Sequence, residues 1–317
     1  MNARHLRTIF LRVAAMLTLL VVACSSESDV DTSWSAKETA QDAEAPVIPI
    51  LVNSQLGVGQ NRITFGFFDG GGALVSDLTA DVRLFTLDGD AGTLVSEHEL
   101  RKSEVVPNLV HTHAHGTVET HASGSVAIFA AVADLASGGQ WGAELNVDYA
   151  GERTQIRSRF FVLDRTAEPM IGEAIPRFAQ RVLSDVDDIT EIDSANPPLV
   201  ALHELTVPQA LDAGRPIVIA FATPAFCQTR FCGPVIDSVM QPLHAQYGDE
   251  ATFIHIEPFD LAAARAGQLV AVPAMEQWAL TTEPWVFIVD SAGTVAAKFE
   301  GVMTAAEVEA ALLPLIR

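Results

Sequence analysis

The stretch Val218-Ile-Ala-Phe-Ala-Thr-Pro-Ala-Phe-Cys227-Gln-Thr-Arg-Phe-Cys232-Gly-Pro-Val235 constrains this chain more than any other. It opens as a short apolar run with β-branched residues, the pattern of a buried strand. The run breaks at Pro224, turns through two cysteines and enters a helical pattern after Gly233-Pro234. Such an order sets the pair at the carboxyl end of a strand, with one or both sulfurs near a helix N-terminus that favours thiolate over thiol. Spacing limits the local geometry. On a helix, residues 227 and 232 would lie about 140° apart around the axis with Cα atoms about 7.5 Å apart, whereas a disulfide needs roughly 4.4–6.8 Å. Either the segment is a turn and the helix starts after Cys232, or the pair is not bridged. Pro234 near a helix start favours the turn.

The chain after this stretch alternates. Ile217–Ala222 reads as a strand, Pro234–Tyr247 as a helix stopping at Gly248, and Thr252–Glu257 as a second strand. Pro258–Pro273 reads as irregular and Met275–Leu280 as a short helix. Trp285–Asp290 and Val295–Phe299 flank Ser291-Ala-Gly293 as a hairpin. Thr304-Ala-Ala-Glu307 is a capping box that opens a last helix through Leu313, with Val308, Leu312 and Leu315 inward. Strand, helix, strand, hairpin and covering helix predict an α/β domain over 201–317.

Residues 46–164 have another texture. Short β-rich runs (Val47–Val52, Arg62–Phe68, Ala80–Thr86, Leu94–Leu100, Ser125–Val132, Trp141–Tyr149 and Thr154–Leu163) are separated by turns such as Asp69-Gly-Gly-Gly72. Ile63, Phe65 and Phe67 alternate with polar or small neighbours, which is the strand period. Seven short strands predict an all-β immunoglobulin-like sandwich. Residues 165–200 read as a connector, because Pro169, Pro176, Pro197 and Pro198 forbid long helices. Within it, Asp185-Val-Asp-Asp-Ile-Thr-Glu-Ile-Asp193 reads as an acidic surface stretch. Thr206-Val-Pro-Gln209 matches a capping box for a short helix ending at Gly214.

At the N-terminus, Arg4, Arg7 and Arg12 precede an apolar run from Val13 to Ala23. That run is shorter than the roughly 20 residues a membrane-spanning helix needs, and it has the layout of an export signal over residues 1–23. Leu20-Val-Val-Ala-Cys24-Ser25 resembles a bacterial lipobox. The resemblance implies cleavage before Cys24, lipid on its sulfur, and a cell-envelope protein held to a membrane outside the cytoplasm. An ordinary secretory cleavage is the alternative. Residues 24–45 are rich in Ser, Asp, Glu and Ala and read as a disordered tether in which Trp34 is incidental. The net charge of −21 excludes a basic face for nucleic acid. Of three cysteines, the two not at the lipobox form a near pair, which in an oxidising compartment exists at least partly as a disulfide.

Residues 201–317 resemble a thioredoxin-like domain of extracytoplasmic bacterial lipoproteins that carry a cysteine pair spaced by four. Phe221-Ala-Thr-Pro-Ala-Phe-Cys-Gln-Thr-Arg-Phe-Cys-Gly-Pro-Val235, Phe253-Ile-His-Ile-Glu257 and Glu283-Pro-Trp-Val-Phe-Ile-Val-Asp290 carry the likeness. It implies that Pro284 is a cis-proline facing the cysteines and offers backbone to an extended substrate. The pattern departs from thioredoxins at Val235, which stands where a CxxC pair starting at Cys232 would have its second cysteine. The expected architecture is thus two-domain, a β-sandwich followed by a thioredoxin-like α/β domain.

Three functions fit these residues. In the first, Cys227 attacks and Cys232 resolves in thiol–disulfide exchange with exported proteins, no cofactor being required. In the second, the chain handles copper or zinc, drawing on the pair and on His111, His113, His115 and His121, since imidazole clusters suit such ions. A solvated polar loop is the plainer reading of that histidine tract. In the third, the disulfide is inert and the protein is an adaptor. His255, alone between Ile254 and Ile256, reads as a packing residue. Phosphate-loop, HExxH and Gly-x-Ser-x-Gly motifs are absent.

Overall fold

The computed structural model describes residues 30, 31, 34, 46–105, 108–112, 118–122, 125–227 and 231–316. The export signal, Cys24, His113 and His115 lie outside them. Among the described residues no helix is long and apolar enough to cross a membrane.

The chain is mostly β. Strands β1 (Val30–Asp31), β2 (Val47–Leu51), β3 (Gly59–Asp69), β4 (Leu78–Asp88), β5 (Ala91–Val105), β8 (Val126–Leu135), β9 (Gly139–Tyr149) and β10 (Glu152–Val162) form one eight-stranded antiparallel sheet. Its order is β10-β9-β4-β5-β8-β3-β2, with β1 added on β5. Strands β6 (Asn108–Thr112) and β7 (Val118–Ala122) form a separate hairpin that the sequence pattern did not announce.

The expected immunoglobulin-like sandwich is corrected here. The seven runs are strands, but they do not divide into two sheets. Strand β5 is 15 residues long, pairing with β4 as far as Leu100 and with β8 from Arg101 onward, so it carries the sheet across without a break. The sheet curls into a near-barrel around one core that includes Ile63, Phe65, Phe67, Val82, Leu84, Phe129, Trp141 and Leu145. Its two ends meet where Leu163 N–H donates to Leu56 O at 2.8 Å and Val58 N–H donates to Leu163 O at 2.9 Å. Alternation tells which face of a strand is buried and is silent on its partner.

Trp34 is not incidental. It is fully buried, 4.7 Å from the Phe85 ring and under the Arg157 guanidinium at 4.4 Å. Gly142 makes room for it, since a Cβ there would fall 2.0 Å from Trp34 Cζ2.

The second sheet has four strands, β11 (Ile217–Phe221), β12 (Thr252–Ile256), β13 (Trp285–Val289) and β14 (Val295–Glu300), in the order β12-β11-β13-β14. Strands β11 and β12 are parallel, and the other pairings are antiparallel. The first three strands are buried along their whole length, with apolar clusters on both faces of the sheet. That burial explains why their sequences read as continuous apolar runs.

The helices beside this sheet are few and short: α1 (Val207–Asp212), α2 (Cys232–Val235), α3 (Gln241–Tyr247), α4 (Leu261–Arg265), α5 (Pro273–Gln277) and α6 (Ala305–Leu312). The expectation of a thioredoxin-like α/β domain is therefore corrected: the chain is a mostly β protein whose two main sheets outweigh their helices. Where one regular helix was expected over 234–247, a π-helical segment, Ile236–Met240, separates α2 from α3. Pro242, in the first turn of α3, has no N–H for an α-helical bond and its ring crowds the preceding turn, which the wider π turn accommodates. Both capping boxes form. The side chain of Thr206 accepts from Gln209 N–H, and that of Thr304 from Glu307 N–H. Pro258–Pro273, expected as irregular, contains α4.

Candidate functional site

The parallel strands β11 and β12 end side by side. Phe221 at the end of β11 pairs with Trp285 at the start of β13. Hence Ala222-Thr223, Glu257 and Glu283-Pro284 converge on one edge, and the cysteine turn leaves from the same place.

No disulfide joins Cys227 and Cys232. Cys227 is half-buried and Cys232 fully buried. Cys232 begins α2 and is not bridged to Cys227; residues 228–230 between them lie outside the described residues. Ligand atoms of Cys227, Cys232 and Glu283 all lie within 4.8 Å of one another. The Cys232 N–H donates to the Cys227 sulfur at 3.3 Å, a contact that strengthens when Cys227 is a thiolate. Burial pushes the Cys232 thiol well up, and the neighbouring Cys227 and Glu283 add to this, because a second negative charge there is disfavoured. The pair is thus asymmetric, with one reachable sulfur and one sealed one.

The Glu283–Pro284 peptide is cis. Pro284 is buried and its carbonyl already accepts from Gly301 N–H at 2.9 Å. Trp285 is buried and stacked on Phe287.

Behind the cysteines lies a polar cluster that the sequence did not show. Asp193, read as surface, is buried. Its Oδ1 accepts from Ala195 N–H at 2.8 Å, and its Oδ2 from Leu199 N–H at 2.9 Å and His203 Nε2 at 3.2 Å. His255 Nδ1 stands 3.6 Å from Asp193 Oδ1, and the two imidazoles pack edge to face at 5.0 Å. His255 Nε2 donates to Ala222 O at 2.8 Å, a tautomer fixed because a carbonyl can only accept. Ser194 N–H donates to Glu257 Oε1 at 2.7 Å.

The charges in this cluster follow from these contacts. Burial opposes ionising Asp193, but the hydrogen bond from His203, the nearby His255 and the backbone N–H donors hold its carboxyl well below the usual range. Burial likewise opposes charging His255, yet Asp193 and Glu257 raise its pKa. Burial lowers that of His203 and raises that of Glu257. One histidine is held toward imidazolium and the other toward neutral imidazole. Two histidines in a carboxylate's company are invisible to sequence spacing here, because Asp193, His203 and His255 come from three separate segments.

Asp193, His203 and His255 could converge on an ion, but both carboxylate oxygens, His203 Nε2 and His255 Nε2 are committed to hydrogen bonds. Cys227, Cys232 and Glu283 offer three donors, one short of a closed structural zinc shell, and no fourth joins them among the described residues. Of the histidine tract, His111 lies on β6 opposite Glu119 and His121 on β7 opposite Leu109. No family model matches the chain, and no curated protein matches it.

Proposed function

We propose that this chain exchanges disulfides with exported proteins through Cys227 and Cys232. The observation that carries the reading is the asymmetric pair: a reachable Cys227 sulfur, held by the Cys232 N–H, within 4.8 Å of a sealed Cys232 sulfur. The Cys227 thiolate attacks one sulfur of a substrate disulfide, and the other substrate sulfur leaves as a thiolate. Cys232 then attacks the Cys227 sulfur. A Cys227–Cys232 bond forms, the mixed disulfide breaks, and the second substrate thiol departs with the proton Cys232 has lost. Two electrons have passed to the substrate, and an external dithiol restores the pair. The buried second sulfur suits a resolver, which needs to meet only its neighbour.

Reduced protein mixed with oxidised glutathione tests this. Cys232→Ser should accumulate a glutathione adduct on Cys227, Cys227→Ser should accumulate none, and the unaltered protein should pass to the internal disulfide. Failure of the unaltered protein to form either product overturns the proposal.

A further inference from the structure

Two sulfurs and a carboxylate meet at the edge where β11 and β12 end. Ligand atoms of Cys227, Cys232 and Glu283 all lie within 4.8 Å of one another. In a tetrahedral zinc site sulfurs stand about 2.3 Å from the ion and carboxylate oxygens about 2.0–2.2 Å, which sets neighbouring donors about 3.5–3.8 Å apart. The three donors can thus close on one ion with side-chain shifts of about 1 Å at most. The fold holds each of them in place. Cys232 opens α2, and its N–H donates to the Cys227 sulfur at 3.3 Å. Such an outer donor orients a metal-bound thiolate and draws off some of its charge. Glu283 is fastened from both sides. Thr282 Oγ1 donates to Glu300 Oε1 at 2.9 Å and accepts from Trp285 Nε1 at 3.0 Å, while the Pro284 carbonyl accepts from Gly301 N–H at 2.9 Å. Trp285 pairs with Phe221 and so sets this turn beside the end of β11. The exchange steps give Glu283 no task, and a carboxylate beside two sulfurs works against a thiolate nucleophile. A cation reverses that repulsion.

We infer that the reduced chain binds one Zn²⁺ through the sulfurs of Cys227 and Cys232 and a carboxylate oxygen of Glu283, with water in the fourth position. The donor set selects the ion. Soft Cu(I) is served by thiolates alone and hard Mg²⁺ or Ca²⁺ by oxygens, whereas two thiolates and a carboxylate suit borderline Zn²⁺. Three protein ligands and a water is the pattern of zinc sites that keep an exchangeable position, and no fourth protein donor joins these three among the described residues. Cys227 and Glu283 are half-buried and Cys232 is buried, so the ion enters from the side of the first two. Starting from two thiols, binding breaks two S–H bonds, forms two Zn–S bonds and releases two protons to solvent. The site belongs to the reduced pair alone, because an internal disulfide has no thiolate to donate. It does not depend on the exchange reaction proposed above.

Reduced, metal-free protein is titrated with zinc against a chromophoric chelator, and with cobalt as a spectroscopic stand-in. One zinc per chain should bind, and cobalt should show sulfur-to-metal charge transfer with the intense visible bands of a tetrahedral site. Cys227→Ser and Cys232→Ser should each remove at least half of the charge-transfer intensity. Glu283→Gln should keep that band but weaken zinc binding about tenfold or more, since even changes outside the ligand shell cost that much. Zinc held as tightly by Glu283→Gln as by the unaltered protein overturns the inference. So does zinc that binds without a cobalt–sulfur band, which would assign it to the histidine tract or another site. X-ray absorption on the zinc-loaded unaltered protein needs no variant. Two sulfurs at about 2.3 Å and two lighter atoms at about 2.0–2.2 Å are expected, and four sulfurs or none overturn the inference. Glutathione adducts on Cys227 of the zinc-free protein report on exchange alone, so either reading can fail without the other.

Discussion

Arg62 Nε and Nη2 both donate to Glu307 Oε1, at 2.9 and 2.8 Å, and so tie β3 of the first sheet to α6 beside the second. Arg62 Nη2 also donates to Val302 O, and Ser103 Oγ donates to Glu307 Oε2 from β5. The same Glu307 completes the capping box on Thr304, so a local helix signal in the sequence doubles as the seam between the two sheets. Burial resists its charge, but Arg62, Ser103 and Thr304 hold its pKa below the usual value.

Glu307→Gln should destabilise the protein by about 1–3 kcal/mol, since Arg62 loses its charged partner while remaining mostly buried. A carboxylate with a depressed folded pKa stabilises the native state above its unfolded pKa, near 4.3, and this contribution fades as pH falls through the folded value. Urea midpoints of the two proteins should therefore differ at pH 7 and converge below about pH 4. A gap that persists at low pH would show that the carboxylate charge is not the source.

Gly142→Ala should unseat Trp34, because the new Cβ would occupy the ring's position. The lost burial of an indole is of the order of 3 kcal/mol. Trp34→Ala should destabilise the protein by a similar free energy, read from urea unfolding, and the double variant should be no worse than either single one. Additive losses would show that the two do not share one contact.

Alkylation of reduced, folded protein with iodoacetamide should label Cys227 and spare Cys232, with the second label appearing only in denaturant. The reason is exposure combined with an unfavourable thiolate at Cys232. Peptide mass mapping at short times reads the ratio. Comparable labelling of both residues would remove the asymmetry on which the exchange reading depends.

His203 is kept neutral by burial, so its folded pKa lies below its unfolded one. As pH falls below about 6.5 the unfolded state takes up the proton that the native state resists, and stability drops. His203→Gln should lose less stability than the unaltered protein between pH 7 and 5, measured as the change in urea midpoint. An identical decline in both would assign the titration elsewhere.

Much of the local structure was legible because its causes are local. The strand runs of the first sheet followed from alternation, the two capping boxes from Thr and Gln or Glu three residues apart, and a helix start near the second cysteine from Pro234. The site was half legible. Cys227 and Cys232 are close in sequence, so their meeting is a short-range matter, whereas Asp193 was misread because an acidic run resembles a solvated surface. Only packing explains why this carboxylate sits inside: backbone N–H groups and two histidines compensate its lost hydration.

By itself the sequence determined which residues bury one face, where helices begin, and that two thiols lie at the end of a strand. The tertiary structure alone decided that β5 carries one curled sheet rather than dividing two, that Trp34 fills the space over Gly142, and that His255 reaches the Ala222 carbonyl. The physical reason is range. Turn, cap and period energies are set within a few residues, while pairing partners and buried charge are set by residues brought together across the chain.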